Sequence, residues 1–412
     1  MNAVGVDVSK GKSMVAVRRP CNEIVAKPFE VRHTGSELKQ LADYLKSLEG
    51  ETRVIMEHTG RYYESIARYL HDAGLYVSAV NPKLIKDSGS GNTLRRVKTD
   101  KADAKKIAKY GLDNWADLRE YTPMDTIRYQ LKTLNRQCGL YTKTKTAMKN
   151  NLISLLDQTY PGVNALFNSP VREDGTQKWV DFAASFWHVD CVRGISLTAF
   201  TEKYRKWCKK HRYNFSSEKA AEVYGEAEDQ IAMLPKGALT KLLVKQAIDA
   251  LNAVSATLER LKAEMLELAS QLPEFPVVMD MRGVGDSLGP QLIAEIGDVT
   301  RFARRSAITS FAGVDPGVDQ SGSHETKGVS TSKCGPPELR KALFLVMDCL
   351  LKTMPQEDPV YLFMDKKRAE GKPYLVYMTA GANKFLRIYY GRVKEYIAKL
   401  EQPVEPTSDT PA

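Results

Sequence analysis

Val4-Gly5-Val6-Asp7-Val8, near the amino terminus, is an apolar stretch in which every second residue is valine. Such alternation predicts a β-strand. Two further apolar segments, 14–17 and 23–26, follow after short turns, so residues 1–32 are predicted to form strands. A carboxylate inside the first strand is unusual, because a buried charge needs a partner or a metal ion. Asp7 is therefore the first candidate for a functional residue.

The segments that follow this first strand alternate between helix and strand. Helices are predicted over 35–48 and 62–73, and strands over 53–56 and 75–80. Strands that then alternate with helices are typical of a mixed α/β domain. We expect this α/β domain to cover about residues 1–112 and the rest of the chain to be mainly α-helical.

The overall composition excludes several classes of protein. Hydrophobic residues make up 43% and charged residues 27% of the 412 residues, which is ordinary for a globular protein and excludes a wholly disordered, collagen-like or membrane-embedded chain. No apolar run is long enough for a signal peptide or a membrane span. The six cysteines form no C-x-x-C pair, which favours a reducing compartment. We expect a soluble, cytoplasmic protein without a membrane partner.

The charge balance favours a polyanionic partner. The chain has 60 Lys and Arg against 50 Asp and Glu, a formal net charge of +10. One basic segment contains Lys83, Lys86, Arg95, Arg96, Lys98, Lys101, Lys105, Lys106 and Lys109. A second contains Lys203, Arg205, Lys206, Lys209, Lys210 and Arg212, interleaved with Tyr204, Trp207, His211 and Tyr213. Cations and aromatic rings together suit phosphate contacts with base stacking, although a solvated helix face is the alternative.

Four carboxylates form a candidate metal site. Asp7 lies in the first strand, and Glu57 directly follows the apolar strand 53–56. Asp100 and Asp103 are three residues apart in a helical pattern, so they share one helix face. Together they supply the hard oxygen ligands that Mg²⁺ prefers. Taken singly, Glu57 could be a surface residue and the two aspartates a solvated face, but the adjacent cations would bring a phosphodiester to the metal.

The middle of the chain, residues 113–273, has two heptad patterns. Apolar residues recur at alternating spacings of four and three over 127–155 and again over 254–272. These patterns predict two coiled-coil helices that pair with each other or with another protomer. An intramolecular hairpin with some contribution to a dimer is favoured.

The carboxy-terminal part has two glycine-rich signals. Gly283 and Gly285 precede a predicted helix over 288–296 and resemble a helix-hairpin-helix turn that admits a phosphate, although a plain capping turn has the same glycines. The loop 311–323 contains Ser321 directly before a glycine. A serine attacks phosphorus only when a base or metal activates it, and in such loops it is usually a turn former. Residues 401–412 are rich in Pro, Thr, Ser and acid and are predicted to be a disordered tail.

The order of these motifs resembles that of the DEDD transposases, insertion-sequence recombinases guided by a bridge RNA, whose relatives include the Piv invertase. The resemblance covers about residues 1–112 and 274–390. It rests on V-G-V-D-V-S-K, M-E-H-T-G, N-P-x-x-I-K with K-T-D-K-A-D-A, G-V-G with A-E-I-G-D, and G-V-D-P with Q-S-G. The order and spacing of these motifs are more specific than any one of them.

The resemblance implies a fold, a mechanism and partners. The fold would be a RuvC-like, RNase-H-type domain over 1–112, coiled-coil helices within 113–273, and a mainly helical transposase domain over 274–400. Mg²⁺ would be held by Asp7, Glu57, Asp100 and Asp103. The Q-S-G match implies that Ser321 forms a serine–phosphodiester intermediate, with Ser323 as a nearby alternative. The partners would be double-stranded target and donor DNA, a structured bridge RNA and further copies of the chain in a dimer or tetramer.

One motif departs from the family pattern. The family commonly has K-R-G after the serine, whereas this chain has Lys333-Cys334-Gly335. Lys333 remains a candidate for a nucleic-acid contact, but a contact from the arginine position does not carry over to Cys334. Two other functions compete with the recombinase: a RuvC-like nuclease or Holliday-junction resolvase without a covalent intermediate, and a non-enzymatic nucleic-acid-binding protein.

Overall fold

A computed structural model describes residues 1–58, 60–88, 99–317, 320–321, 324–325 and 330–401. The described contacts divide the chain into two compact units, Met1–Pro123 and Met124–Ala412. The predicted tail beyond residue 401 lies outside the described residues, as do Arg95, Arg96, Lys98 and Ser323. In the described part of the chain, no helix has the length and apolarity needed to cross a membrane.

A mixed five-stranded sheet forms the centre of the first unit. Its strands are β1 Asn2–Ser9, β2 Lys12–Arg18, β3 Ile24–Arg32, β4 Thr52–Glu57 and β5 Tyr76–Val80. They lie in the order β3-β2-β1-β4-β5. The first three strands are antiparallel to one another, while β4 is parallel to both β1 and β5. The predicted mixed α/β domain is confirmed.

Helices cover both faces of this sheet. They are α1 Gly35–Ser47, α2 Tyr62–Asp72, α3 Pro82–Ser88 and α4 Asp100–Asp113. Alternate residues of a strand point to opposite faces. Val4 and Val6 of β1 accordingly belong to the hydrophobic cluster that contains α1 and α2, whereas Ala3 belongs to the cluster on the α4 side. The residues in phase with Ala3, which include Asp7, therefore lie on the face that α4 covers.

The second unit is mainly helical. Its helices are α5 Thr126–Leu156, α6 Lys178–Ser185, α7 Leu197–His211, α8 Ser217–Asp229, α9 Ala238–Ser270, α10 Phe275–Met279, α11 Leu288–Ile296, α12 Arg305–Ala312, α13 Pro337–Thr353, α14 Pro359–Ala369 and α15 Tyr374–Glu401. Two short strands, β6 Gln320–Ser321 and β7 His324–Glu325, pair antiparallel between α12 and α13. The predicted helix over 288–296 is confirmed as α11. The domain boundaries after residues 112 and 273 remain predictions.

The two heptad segments form long helices that pack on each other within the chain. Leu131 of α5 shares a hydrophobic cluster with Met265 of α9, whereas Leu152 shares another with Ile248. The helices are therefore antiparallel, and an ion pair of 3.7 Å joins Lys145 to Glu259 between these two contacts. This pairing is the predicted intramolecular hairpin. Its supercoiling as a coiled coil remains a prediction.

The ends of this hairpin belong to two separate cores. One core joins α5 and α9 to α11, α13 and α15, and the other joins them to α6, α7 and α8. Buried carboxylates of the first core are paired with arginines of α5: Arg128 Nη2 lies 2.6 and 2.7 Å from the two oxygens of Glu274, and Arg136 Nη2 lies 2.8 Å from Glu295 Oε2. Because removing one partner leaves an uncompensated buried charge, these pairs fix α5 against the carboxy-terminal helices.

Candidate active site

The ends of two neighbouring parallel strands bring Asp7 and Glu57 together. In the pairing of β1 with β4, Val6 lies opposite Met56. Asp7 and Glu57 follow these residues by one position, so they are neighbours across the two strands. Ala3 and Ile55, in phase with them, belong to the hydrophobic cluster on the α4 side. Both carboxylates therefore lie on the sheet face that α4 covers, and both are half-buried.

Helix α4 brings the other two carboxylates to this face. It begins at Asp100, where the Thr99 hydroxyl accepts a hydrogen bond of 3.2 Å from the Ala102 amide, and Asp103 lies in its first turn. A helix amino terminus favours negative charge there, because its peptide dipoles and free amide groups point towards it. The predicted placement of both aspartates on one helix is confirmed.

Two glycines allow α4 to lie against the sheet at close range. A Cβ atom at Gly5 of β1 would overlap the backbone of Ala104 and Ala108. A Cβ atom at Gly111 of α4 would lie 2.5 Å from Ile55 Cδ1 of β4. The helix that carries Asp100 and Asp103 thus contacts the strand of Asp7 through one glycine and the strand of Glu57 through the other.

The four carboxylates interact electrostatically. Burial, followed by the charges of Asp100, Asp103 and Glu57, raises the pKa of Asp7 to about 6. Burial and the charge of Asp103 also raise the pKa of Glu57, while Lys106 acts in the opposite direction. The site therefore concentrates more negative charge than its own cations offset, which is the condition that a bound cation would relieve.

The donor set has the chemistry of a divalent-cation site. Four carboxylates are hard oxygen ligands of the kind that Mg²⁺ takes together with water and phosphate oxygens. Across the described ranges, no three His, Cys, Asp or Glu side chains lie close enough together to hold a metal ion. The carboxylates are thus within electrostatic range of one another but wider apart than a coordination shell.

Substitution of Gly5 tests this arrangement without altering a carboxylate. In Gly5→Ala, the new methyl group would press on the α4 backbone, so we expect a loss of about 1–3 kcal/mol in the free energy of unfolding. The displacement of Asp100 and Asp103 from Asp7 should lower, by about 10²-fold, the DNA cleavage that the sequence resemblance leads us to expect. Cleavage assays and urea unfolding would measure the two effects. Gly35→Ala is the matched control, because the new Cβ atom would meet nothing within 4 Å. Cleavage at the parental rate by Gly5→Ala would contradict the role given to the contact between Gly5 and α4.

The loop that contains Ser321 is anchored to the second unit at its base. Asp315 accepts hydrogen bonds of 2.7 Å from the Asn383 amide of α15 and from the Ser310 hydroxyl of α12. Pro316 forms a β-bridge with Thr331. Further along the loop, Ser321 pairs with His324 in the short ladder of β6 and β7. The sequence does not predict the contact between Asp315 and Asn383, because the two residues are 68 apart and only the fold brings them together.

Other predicted nucleic-acid contacts lie in both units. Lys101 is exposed and Lys105 half-buried on α4, beside the carboxylates. Gly283 has a positive φ of 78°, and a Cβ atom added there would lie 3.1 Å from the Val346 carbonyl oxygen. Packing against α13 therefore accounts for this glycine without a bound phosphate. Gly285 and Lys333 are exposed. Phosphate binding by this turn and the identity of the turn as a helix-hairpin-helix element remain predictions.

The structure corrects the stacking role predicted for two aromatic residues of the second basic cluster. Tyr204 and Trp207 have exposed fractions of 0% and 5%, because they pack in the core with Phe182 and Phe200. They do not offer open faces for stacking bases. A sequence signal for this burial exists in the helical spacing of the apolar residues. The buried face of α7 consists of Phe200, Tyr204, Trp207 and Cys208, which recur at spacings of three and four. The cations of this cluster, Lys203, Arg205, Lys206, Lys209, Lys210 and Arg212, are all exposed.

Comparison with known proteins gives matches over both units. The family model DEDD_Tnp_IS110, described as a transposase, matches residues 4–161. The model described as the transposase IS116/IS110/IS902 family matches residues 276–361. The insertion element IS110 uncharacterized 43.6 kDa protein of Streptomyces coelicolor (strain ATCC BAA-471 / A3(2) / M145) is 22% identical over 361 residues, which are 87% of this chain and 85% of that protein. A solved structure, T. thermophilus RuvC in complex with Holliday junction substrate, is similar over 28% of this chain and 96% of its own, with 14% identity and a TM-score of 0.23.

The matched segments contain the carboxylates, the glycine turn and the serine loop. The protein is a transposase, an enzyme that cuts and rejoins DNA. Within that class it belongs to the DEDD transposases of the IS110 family, whose two models together match more than half of the chain.

Proposed function

We propose that this transposase is an RNA-guided recombinase of an insertion sequence that acts through a serine–phosphodiester intermediate and a Mg²⁺-dependent, RuvC-like site. The observation that carries the proposal is the carboxylate cluster. Asp7 lies near the end of β1, Glu57 ends the neighbouring parallel strand β4, and α4 brings Asp100 and Asp103 to the same face. Burial, followed by the charges of the other three carboxylates, raises the pKa of Asp7.

The proposed chemistry begins with attack by Ser321. Its hydroxyl oxygen bonds to the phosphorus of a DNA phosphodiester, and the bond from phosphorus to the 3′ oxygen breaks. The serine proton leaves to a base and the departing 3′ oxygen takes up a proton, which gives a phosphoserine link and a free 3′-hydroxyl. Attack by the 3′-hydroxyl of a partner strand reverses these steps and releases the serine. A bound Mg²⁺ would supply charge stabilisation at phosphoryl oxygens and a lower hydroxyl pKa.

The residues of the chain have separate tasks in this scheme. Asp7, Glu57, Asp100 and Asp103 would hold the ion, while Lys101 and Lys105 would attract the phosphodiester. Asp315, through Asn383 and Ser310, would hold the base of the serine loop. Such anchoring suits a nucleophile, because a small displacement of a reacting atom costs much of the rate.

The proposed partners are target and donor DNA duplexes, a guide RNA and further copies of the chain. Base pairing of the guide would supply sequence specificity. The protein would contribute phosphate contacts from Arg95, Arg96, Lys98, Lys101, Lys105, Lys203, Arg205, Lys206, Lys209, Lys210, Arg212, Lys333 and the turn with Gly283 and Gly285. A composite site, with carboxylates and serine from different protomers, would make the enzyme a dimer or tetramer.

The proposal is tested by trapping the intermediate on the wild-type protein. A donor duplex nicked next to the cleavage position loses the short 3′-hydroxyl strand after attack, so the covalent adduct should accumulate. Mass spectrometry of the digested adduct should find the nucleotide on Ser321. The RNA that co-purifies with the protein should be discrete and required for the adduct.

Three outcomes would overturn parts of this scheme. Cleavage without any adduct would favour the RuvC-like nuclease, in which metal-activated water attacks. An adduct on Ser323 would move the nucleophile by two residues. A protein that carries no discrete RNA and is indifferent to added RNA would remove the guidance.

A further inference from the structure

A cleft in the second unit has no role in the proposed chemistry. It has a volume of about 590 Å³ and lies between α7 and the segment that joins α6 to α7. Its lining residues belong to 185–236, which neither matched family segment includes. The cleft is therefore a candidate for a binding site that the transposase family models do not assign.

Four lysines surround this cleft. Lys203, Lys206 and Lys210 line it from α7, where spacings of three and four place them on one helix face. Lys236 lines it from the segment before α9, and its ammonium group donates a hydrogen bond of 3.0 Å to the Asp190 carbonyl. Within the described part of the chain, Lys203, Lys206 and Lys210 form no ion pair.

The acidic residue of the cleft does not neutralise these lysines. Asp190 accepts a hydrogen bond of 2.6 Å from Arg193, and this contact holds the pKa of the carboxyl below its usual range. Its charge is compensated chiefly by this arginine, which is not among the lining residues, and Lys236 also acts on it. Lys203, Lys206 and Lys210 remain to attract an anion.

Part of the cleft lining is apolar. Phe186 and Trp207 belong both to the lining and to the core, and the Trp207 indole N–H donates a hydrogen bond of 3.3 Å to the Asp181 carbonyl. Gly194 leaves room in the loop, because a Cβ atom there would lie 2.6 Å from the Asp190 carbonyl oxygen. A cleft lined by four lysines together with Phe186 and Trp207 suits a ligand that carries phosphates.

We propose that this cleft binds the phosphates of a single-stranded segment of nucleic acid. Its volume lies in the range of sites for small ligands, about 300–1,000 Å³, which matches one or two nucleotides. An extended strand can enter such a cleft, whereas the phosphates of a duplex lie on the outside of a wide cylinder. The proposal deepens the proposed function, because it names the kind of nucleic acid that this inserted helical region handles.

The test compares two variants, each of which removes three positive charges from α7 or from the residue that follows it. In the cleft variant, Lys203, Lys206 and Lys210 are replaced by Gln. In the control variant, Arg205, Lys209 and Arg212 are replaced by Gln; all three are exposed, and none lines the cleft. Binding of a labelled single-stranded RNA, the DNA strand of the same sequence and its duplex would be measured on the full-length protein over a range of salt concentrations.

The cleft variant should bind single strands at least about tenfold more weakly than the control variant does, with a salt slope reduced by roughly two. Its duplex affinity should equal that of the control. The natural ligand is identified by the single strand, RNA or DNA, for which the affinities of the two variants differ more. Equal losses in the two variants would mean a general basic face and would overturn the proposal, as would an unchanged affinity or an equal loss for the duplex.

The thiol of Cys191 gives a second, independent readout. It is half-buried and lines the cleft, whereas Cys21, in the first unit, is exposed. A bound single strand should slow alkylation of Cys191 severalfold in the wild type but not in the cleft variant, with Cys21 unchanged in both. Unprotected Cys191 would overturn the cleft as the binding site. Adduct formation at Ser321 is measured separately, so failure here is distinguishable from failure of the recombinase mechanism.

Discussion

Asp7→Asn is expected to abolish DNA cleavage and, at the same time, to stabilise the metal-free protein. The loss of cleavage, at least about 10²-fold, follows if this carboxylate helps to hold the ion that stabilises the transition state. The gain in stability follows from the position of Asp7. It is half-buried beside Glu57, Asp100 and Asp103, and its pKa is raised to about 6, so its ionised form opposes folding.

The size and the pH dependence of this gain follow from the shift. A change from 3.8 to about 6 corresponds to roughly 3 kcal/mol, and partial exposure of Asp7 reduces this to about 1–2 kcal/mol. Because the folded state binds the Asp7 proton more tightly than the unfolded chain, the wild type loses stability as pH rises from about 4 to 6. The advantage of Asp7→Asn should therefore be full at pH 7.5 and nearly absent at pH 4. Urea unfolding in EDTA at the two pH values would measure it.

Asp43→Asn is the matched control for this prediction. Asp43 lies exposed on α1 of the same unit, so its replacement should leave both stability and cleavage unchanged. Added Mg²⁺ should stabilise the wild type and this control, but should have little effect on Asp7→Asn, because ligands that bind only the folded state stabilise it by mass action. An Asp7→Asn protein that is no more stable than the wild type in EDTA would show that the four carboxylates do not crowd one another.

The strand pattern of the first unit could be predicted from the sequence because it is local. The alternation of Val4, Val6 and Val8 places Asp7 on the opposite face, and the short apolar segment before Glu57 places that residue at a strand end. The i, i+3 spacing likewise places Asp100 and Asp103 together on α4. Each of these inferences uses residues within one element, where backbone periodicity determines side-chain direction.

The arrangement of these elements could not be predicted in the same way. The close approach of α4 depends on Gly5 meeting Ala104 and Ala108, about a hundred residues away, and a glycine in a strand is equally compatible with a bulge or a tight bend. The stacking role predicted for Tyr204 and Trp207 of α7 is wrong for a different reason. Helical spacing places both rings on the apolar face of α7, and in the structure this face packs in the core and is not open to bases.

Replacement of the proposed nucleophile is the second large effect. Ser321→Ala removes only a hydroxyl group, in a loop whose base is held by Asp315, Asn383 and Ser310. We expect the covalent protein–DNA adduct and recombination to be lost, while DNA and RNA binding and thermal stability remain at parental values. Trapping on nicked donor DNA, followed by denaturing electrophoresis, would measure the adduct.

Two further variants separate the recombinase from a nuclease. Ser323→Ala should retain the adduct and recombination if Ser321 is the nucleophile, and should lose them if the neighbouring serine takes that role. Asp7→Asn should lose DNA cleavage under either mechanism, because both need the carboxylates, and under the serine mechanism it should lose the adduct as well. The decisive comparison is therefore Ser321→Ala against Asp7→Asn. If metal-activated water were the nucleophile, Ser321→Ala would still cleave DNA at the parental rate while Asp7→Asn would not, and the serine mechanism would be wrong.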